Sequence, residues 1–167
     1  MDHPEANIVL IGMPGCGKSS IGQLLAQQMK REFLDTDQLI EQKTHLPVTE
    51  IFARHGEAFF RAQEAEIAEM CSHLTGKVIA TGGGMVLNPE NIRKLKQTGR
   101  VYYLRRDLCM LARKGRPLSC SMEAIEKLFE QRTPLYLEAA DCVVDNQGAV
   151  QQAVQAILED FNENSGH

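Results

Sequence analysis

The stretch Asn7-Ile8-Val9-Leu10-Ile11-Gly12-Met13-Pro14-Gly15-Cys16-Gly17-Lys18-Ser19 decides the fold. From Asn7 to Ile11 it is mostly apolar and β-branched, the composition of a buried strand. It then runs without a break into a glycine-rich turn. Beyond the turn, Ile21, Leu24, Leu25 and Met29 recur at helical spacing, so a helix follows. Strand, turn and helix in that order let backbone N–H groups and the helix N-terminus converge on phosphate oxygens. Gly12 to Ser19 matches the phosphate-loop pattern G-x-x-x-x-G-K-[ST] at every specified position. From average residue frequencies, a chance match in a chain of this length arises about 1% of the time or less.

Each residue of the loop has an expected task. Glycines at 12, 15 and 17 leave room for phosphate to approach the backbone, and Lys18 carries a charge that can follow a transferring γ-phosphate. The Ser19 hydroxyl is the expected Mg²⁺ ligand, and Cys16 and Ser20 complete the predicted ATP contacts. Cys16 lies beside a helix N-terminus, which favours its thiolate; it is either an oxidisable brake or a small residue that fits the loop. One other reading fails and a second is weak. A dinucleotide fingerprint starting at Gly15 and Gly17 needs glycine where Ser20 stands. Asp145-Asn146-Gln147-Gly148 imitates a D-x-x-G switch, but it lies far from the loop and the chain has no N-K-x-D; a turn that caps the last helix is the simpler reading.

Outward from the loop, strands are expected at Phe33 to Thr36, Lys77 to Thr81, Arg100 to Leu104 and Cys142 to Val144. Helices are expected at Gln38 to Lys43 and at Phe59 to Leu74. A third is opened by Asn88-Pro89, and others run through Ile125 to Phe129 and Val150 to Phe161. This alternation predicts a three-layer α/β/α arrangement around a five-stranded parallel sheet. Ligands in such sheets bind beyond the carboxyl ends of the strands. A basic loop with Gly115 and Pro117, at about residues 113–122, is the predicted lid.

Composition narrows the class. Eighteen Lys plus Arg against 22 Asp plus Glu give a net charge of −4, which disfavours a nucleic-acid binder. A length of 167 residues fits one domain, residues 1–167, able to form a core without staples. Cys16, Cys71, Cys109, Cys120 and Cys142 are widely spaced with no C-x-x-C, as expected for a reducing cytosol. The N-terminal segment lacks a basic region, and its apolar run is too short for a signal peptide or membrane span, so a cytoplasmic protein without membrane contact is expected. No coiled-coil seam appears, and a monomer is expected.

The remaining chemistry lies in scattered polar residues. Asp35-Thr36-Asp37 sits at the end of the second strand, on the sheet edge of the phosphate loop. One acid can hold Mg²⁺ through water while the other accepts a hydrogen bond from an attacking hydroxyl; alternatively Asp37 caps the helix at 38–43. Arg61 precedes Glu64 by one helical turn, as a positioned guanidinium or a solvated pair. Gly82-Gly83-Gly84 is a tight turn or a place of close backbone approach. Arg132 is a site residue or a helix C-terminal charge.

Taken together, GMPGCGKS (12–19), DTD (35–37), EIFARHGEAFFRAQE (50–64), VIATGGGMV (78–86), RPL (116–118) and RTPLYLEAAD (132–141) resemble the shikimate kinase family over nearly the whole chain. The resemblance implies ATP-dependent phosphorylation of the 3-hydroxyl of shikimate, on the route to chorismate and the aromatic amino acids. It also implies a nucleoside-monophosphate-kinase-like fold. Carried over by position, Asp37, Arg61, Gly83 and Arg132 would hold shikimate, with both arginines on its carboxylate. Asp37 would be the base. Ser19 would ligate Mg²⁺, with Asp35 assisting through water. Arg116 would reach the phosphates and Arg113 would stack on adenine, so that Lys18, Asp37 and Arg116 form the catalytic set. The lid is short for the family, with only Lys114 and Gly115 between the two arginines and Ser119 where leucine is common. The alternatives are a gluconate-kinase-like enzyme and a non-catalytic nucleotide-binding module. Two arginines suit a carboxylated ring acceptor, and retention of Lys18, Asp37, Arg61 and Arg132 argues against the module.

Overall fold

Strand β1 (Asn7–Ile11) is buried at all five positions and lies in the middle of the sheet. With helices on both faces, a central parallel strand has no solvent side, so its apolar run need not alternate. The structure is a computed structural model describing residues 5–108, 111 and 122–165. Its sheet has the order β2-β3-β1-β4-β5, with β2 Glu32–Asp35, β3 Lys77–Ala80, β4 Gly99–Arg105 and β5 Cys142–Asp145. Every neighbouring pair is parallel, with Leu10 opposite Ala80 on one side and Tyr102 on the other. Six helices surround it among the described residues: α1 Lys18–Met29, α2 Thr36–Thr44, α3 Val48–Cys71, α4 Pro89–Thr98, α5 Met122–Ala139 and α6 Val150–Ser165. The three-layer, five-stranded reading of the sequence holds. None of the described helices is long and apolar enough to cross a membrane.

Several boundaries moved, each for a local reason. Strand β2 stops at Asp35 because that carboxylate caps α2, its Oδ1 accepting from the N–H groups of Asp37 at 2.9 Å and Gln38 at 3.2 Å. The cap is therefore Asp35, and Asp37 is left free in the first turn. Helix α3 begins at Val48, eleven residues before the expected start, and the chain breaks helical geometry inside it at Gly56 (φ 84, ψ 172). That kink hid the upstream turns from a periodicity reading. Asn88 caps α4 as expected, accepting from the Glu90 N–H at 3.1 Å with Pro89 at the first helical position. The predicted lid, with Arg113 and Arg116, lies outside the described residues except for Met122, which opens α5. Cys109 and Cys120 lie outside them as well.

The sheet edge carries the site. β1, β2 and β3 end side by side in the phosphate loop, in Asp35 and in the triple glycine.

Candidate active site

The loop between β1 and α1 is wound by its glycines. Gly15 (φ 82) and Gly17 (φ 94) adopt backbone angles costly for any residue with a Cβ, and Gly17 is the N-cap of α1. The Cys16 N–H closes a turn on the Met13 carbonyl at 3.1 Å. Lys18 curls back so that Nζ donates to the carbonyls of Gly12 at 2.6 Å and Met13 at 3.0 Å. Its charge is thus already held over the loop. Cys16 is buried at 1% exposure, its Sγ directly beneath Gly12. Oxidation needs an accessible thiolate, so this placement fits the small-residue reading rather than the oxidisable brake. Ser19 and Ser20 are exposed in the first turn of α1.

Ser19 Oγ donates to Asp35 Oδ2 at 3.2 Å, so a hydroxyl and a carboxylate stand together at the mouth of the loop. Asp37 is half-buried beside them. Burial raises its carboxyl above the usual range, and the neighbouring Asp35 adds to this; Lys18 and Arg61 oppose it. Its Oδ1 is buried and has no hydrogen-bond partner among the described residues.

Gly82-Gly83-Gly84 is a place of close approach. None of the three has a positive φ, so space rather than backbone freedom explains them. A Cβ on Gly82 would overlap the Asp37 carboxylate, and one on Gly84 would overlap the Arg61 guanidinium. On Gly83 it would lie 3.0 Å from both Arg132 Nη1 and Pro14 Cδ. Three consecutive missing side chains thereby admit one group each from α2, α5 and α3. The Gly82 N–H donates to Thr36 Oγ1 at 3.0 Å, which pins the turn to the start of α2.

Arg61 is fixed from two sides. Nη1 donates to Glu64 Oε1 at 2.7 Å and Nε to Glu57 Oε2 at 3.2 Å. Glu64 is 1% exposed, so this is no solvated surface pair. Burial pushes its carboxyl up, while the Arg61 hydrogen bond pulls it back. Arg132 lies inside α5, well short of its end at Ala139, which removes the helix-terminus reading.

Tyr136, one turn after Arg132, was not singled out from the sequence although it stands in the same quoted segment. It is fully buried, stacks on Tyr103 and donates to the Gly83 carbonyl at 2.6 Å. Tyr136→Phe is expected to destabilise the fold by about 1 kcal/mol. Urea denaturation checks this, and an unchanged midpoint contradicts the role.

The loop, the acids and the first two glycines line one cleft of about 310 Å³, which includes Lys18, Ser19, Asp35, Asp37, Gly82 and Gly83. Arg61 and Glu64 line a neighbouring recess of about 240 Å³ that reaches Gly84. Arg132 lines neither but abuts Gly83.

The sequence profile described as shikimate kinase matches residues 14–162. The chain belongs to the shikimate kinase family. Among curated members, the shikimate kinase of Pelotomaculum thermopropionicum is 41% identical, covering 95% of this chain and 97% of the relative. That of Vibrio cholerae is 42% identical over 92% of this chain and 94% of the relative. Among solved structures, the shikimate kinase of Acinetobacter baumannii in complex with shikimate superposes with a TM-score of 0.90 at 34% identity, covering 97% and 96% of the two chains. A gluconokinase from Sinorhizobium meliloti reaches a TM-score of 0.61 at 17% identity, a likeness of fold alone. As in the family at large, the chain is an ATP-dependent phosphotransferase acting on an alcohol group.

Proposed function

We propose that this family member transfers the γ-phosphate of ATP to the 3-hydroxyl of shikimate, giving shikimate 3-phosphate and ADP. The observation that carries the reading is the triple glycine, whose three missing side chains make room for Asp37, Arg132 and Arg61, the groups assigned to the acceptor. Arg61 and Arg132 bind the ring carboxylate, and the planar fork of each guanidinium suits a bidentate carboxylate partner. Gly83 lets the ring approach the backbone. Asp37, ionised, accepts the hydrogen bond of the attacking hydroxyl and takes its proton.

Gly15, Gly17 and Ser20 of the loop cradle the phosphates, and Lys18 moves from the loop carbonyls onto the phosphate oxygens; Cys16, expected among the ATP contacts, has its N–H on Met13 and its thiol buried, and supports the loop from beneath. Ser19 and Asp35 offer the hard oxygen donors that Mg²⁺ prefers, 3.2 Å apart at the mouth of the loop, and they fit its site. When bound, Mg²⁺ neutralises charge on the phosphate oxygens. Arg116 reaches the phosphates and Arg113 stacks on adenine, from a lid at about 113–122. The protein works as a cytoplasmic monomer of one domain, residues 1–167, and uses neither nucleic acid nor membrane.

A coupled assay of ADP release tests the acceptor. Shikimate is expected to stimulate release, and gluconate and nucleoside monophosphates are not; equal stimulation by gluconate would sink the reading. In the same assay Arg61→Leu is expected to raise the KM for shikimate by about 10- to 100-fold, the worth of one hydrogen bond to a charged group. The KM for ATP should stay within about twofold of wild type on the same energetic scale.

A further inference from the structure

A loop that offers N–H groups to phosphate must turn the carbonyls of the same peptides away from it, because the two ends of a trans peptide point in opposite directions. Those carbonyls need partners where water is excluded. Within the loop, Gly12 and Met13 give theirs to Lys18, and Gly17 gives its own to the Ile21 N–H. The carbonyls of Gly15 and Cys16 are met from outside. Arg106, just past β4, donates Nη1 to Gly15 at 3.2 Å. Asn146, just past β5, donates Nδ2 to Cys16 at 2.6 Å.

The two contacts differ in consequence. The Gly15–Cys16 peptide spends its N–H on the turn to Met13. The Cys16–Gly17 peptide holds its carbonyl on Asn146 and turns its N–H the other way, and Gly17 lines the cleft. Asn146 is 2% exposed, and its backbone N–H is fixed to the Arg105 carbonyl at 2.8 Å. Its Nδ2 also lies 2.9 Å from where a Cβ on Gly17 would stand, so the amide fills the space that glycine leaves.

We propose that Asn146 is a positioning residue for the nucleotide phosphates, holding the Cys16–Gly17 peptide so that its N–H faces the cleft, with Arg106 bracing the preceding peptide. This rests on the kinase reading above, because it takes the loop to bind phosphate.

The test is calorimetric binding of Mg-ADP to the full chain, with steady-state kinetics alongside. Wild type is expected to bind. Asn146→Ala and Asn146→Leu, which remove the donor without adding a charge, are expected to weaken ADP binding by about five- to tenfold, the worth of one hydrogen bond. The KM for ATP should rise by the same factor and the KM for shikimate stay within about twofold. Asp145→Ala is the control. It breaks the Arg105–Asp145 pair, which joins the same two strand ends at 2.8 Å without touching the loop, and it should leave ADP affinity within about twofold. If Asn146→Leu fails to fold, the smaller Asn146→Ala decides. The proposal is overturned if the Asn146 variants bind ADP as wild type does, if both KM values rise together, or if Asp145→Ala weakens binding as much. A wild-type protein that fails to bind ADP overturns the kinase reading as well.

Discussion

Asp37→Asn is expected to lower kcat by about 10²- to 10⁴-fold, the usual contribution of a positioned general base. Asparagine keeps the shape that fits against Gly82, so the loss isolates the ionised oxygen rather than the packing. The pH dependence follows from the raised carboxyl of Asp37, whose main cause is burial, followed by the charge of Asp35. A base works only when ionised, so kcat/KM should fall as pH drops through that value, with an acid limb above the ordinary carboxylate range. Stability runs the other way. A carboxyl raised on folding binds its proton more tightly in the native state, so the stabilisation is full below the unfolded value and lost as pH rises through the folded one. At neutral pH the ionised Asp37 therefore costs stability, and Asp37→Asn should melt at the same temperature as wild type or higher. Calorimetric melting and a kinetic pH profile check both halves. Full activity in the variant contradicts the base, and a lowered melting temperature would assign the lost activity to misfolding instead.

Lys18→Met should be comparably severe, lowering kcat/KM for ATP by about 10²- to 10³-fold, as when one preorganised partner of transition-state charge is removed. The methionine stem preserves much of the side chain's length and removes the ammonium that donates to Gly12 and Met13. Shikimate binding should change little, because the acceptor groups arrive from α2, α3 and α5. The chain has no tryptophan, so calorimetry rather than intrinsic tryptophan fluorescence reads both affinities. Equal losses of ATP and shikimate affinity would contradict the assignment.

These effects were legible in the sequence to different degrees, for physical reasons. The phosphate loop and the five strands were readable because each is a contiguous run whose local chemistry agrees with its place in the fold. The triple glycine was ambiguous, since glycine signals either backbone freedom or missing volume, and only the neighbours Asp37, Arg132 and Arg61 decide for volume. Which acid of Asp35-Thr36-Asp37 caps α2 depended on where β2 ends, a boundary set by pairing with β3. The first turns of α3 were concealed by Gly56. Asn146 was legible only as part of a turn before the last helix, with nothing that pointed to the phosphate loop. Its partner Cys16 lies 130 positions away in the chain, and the sheet order brings the ends of β5 and β1 together across β4.

The charge balance also takes on a sharper meaning. A net −4 belongs to the whole chain, whereas Lys18, Arg61 and Arg132 stand around the phosphate loop and the triple glycine, where the proposed function puts two anionic ligands. Asp35 and Asp37 stand among them, and burial raises the carboxyl of Asp37 in that setting, as its proposed role of base requires.

The most direct measurement is phosphorus NMR of the product formed from ATP and shikimate, with proton coupling resolved. The predicted result is one new phosphomonoester signal, coupled to the ring proton at carbon 3 and growing in step with ADP. A phosphoester on another ring hydroxyl, or only inorganic phosphate accumulating with ADP, would contradict transfer to the 3-hydroxyl.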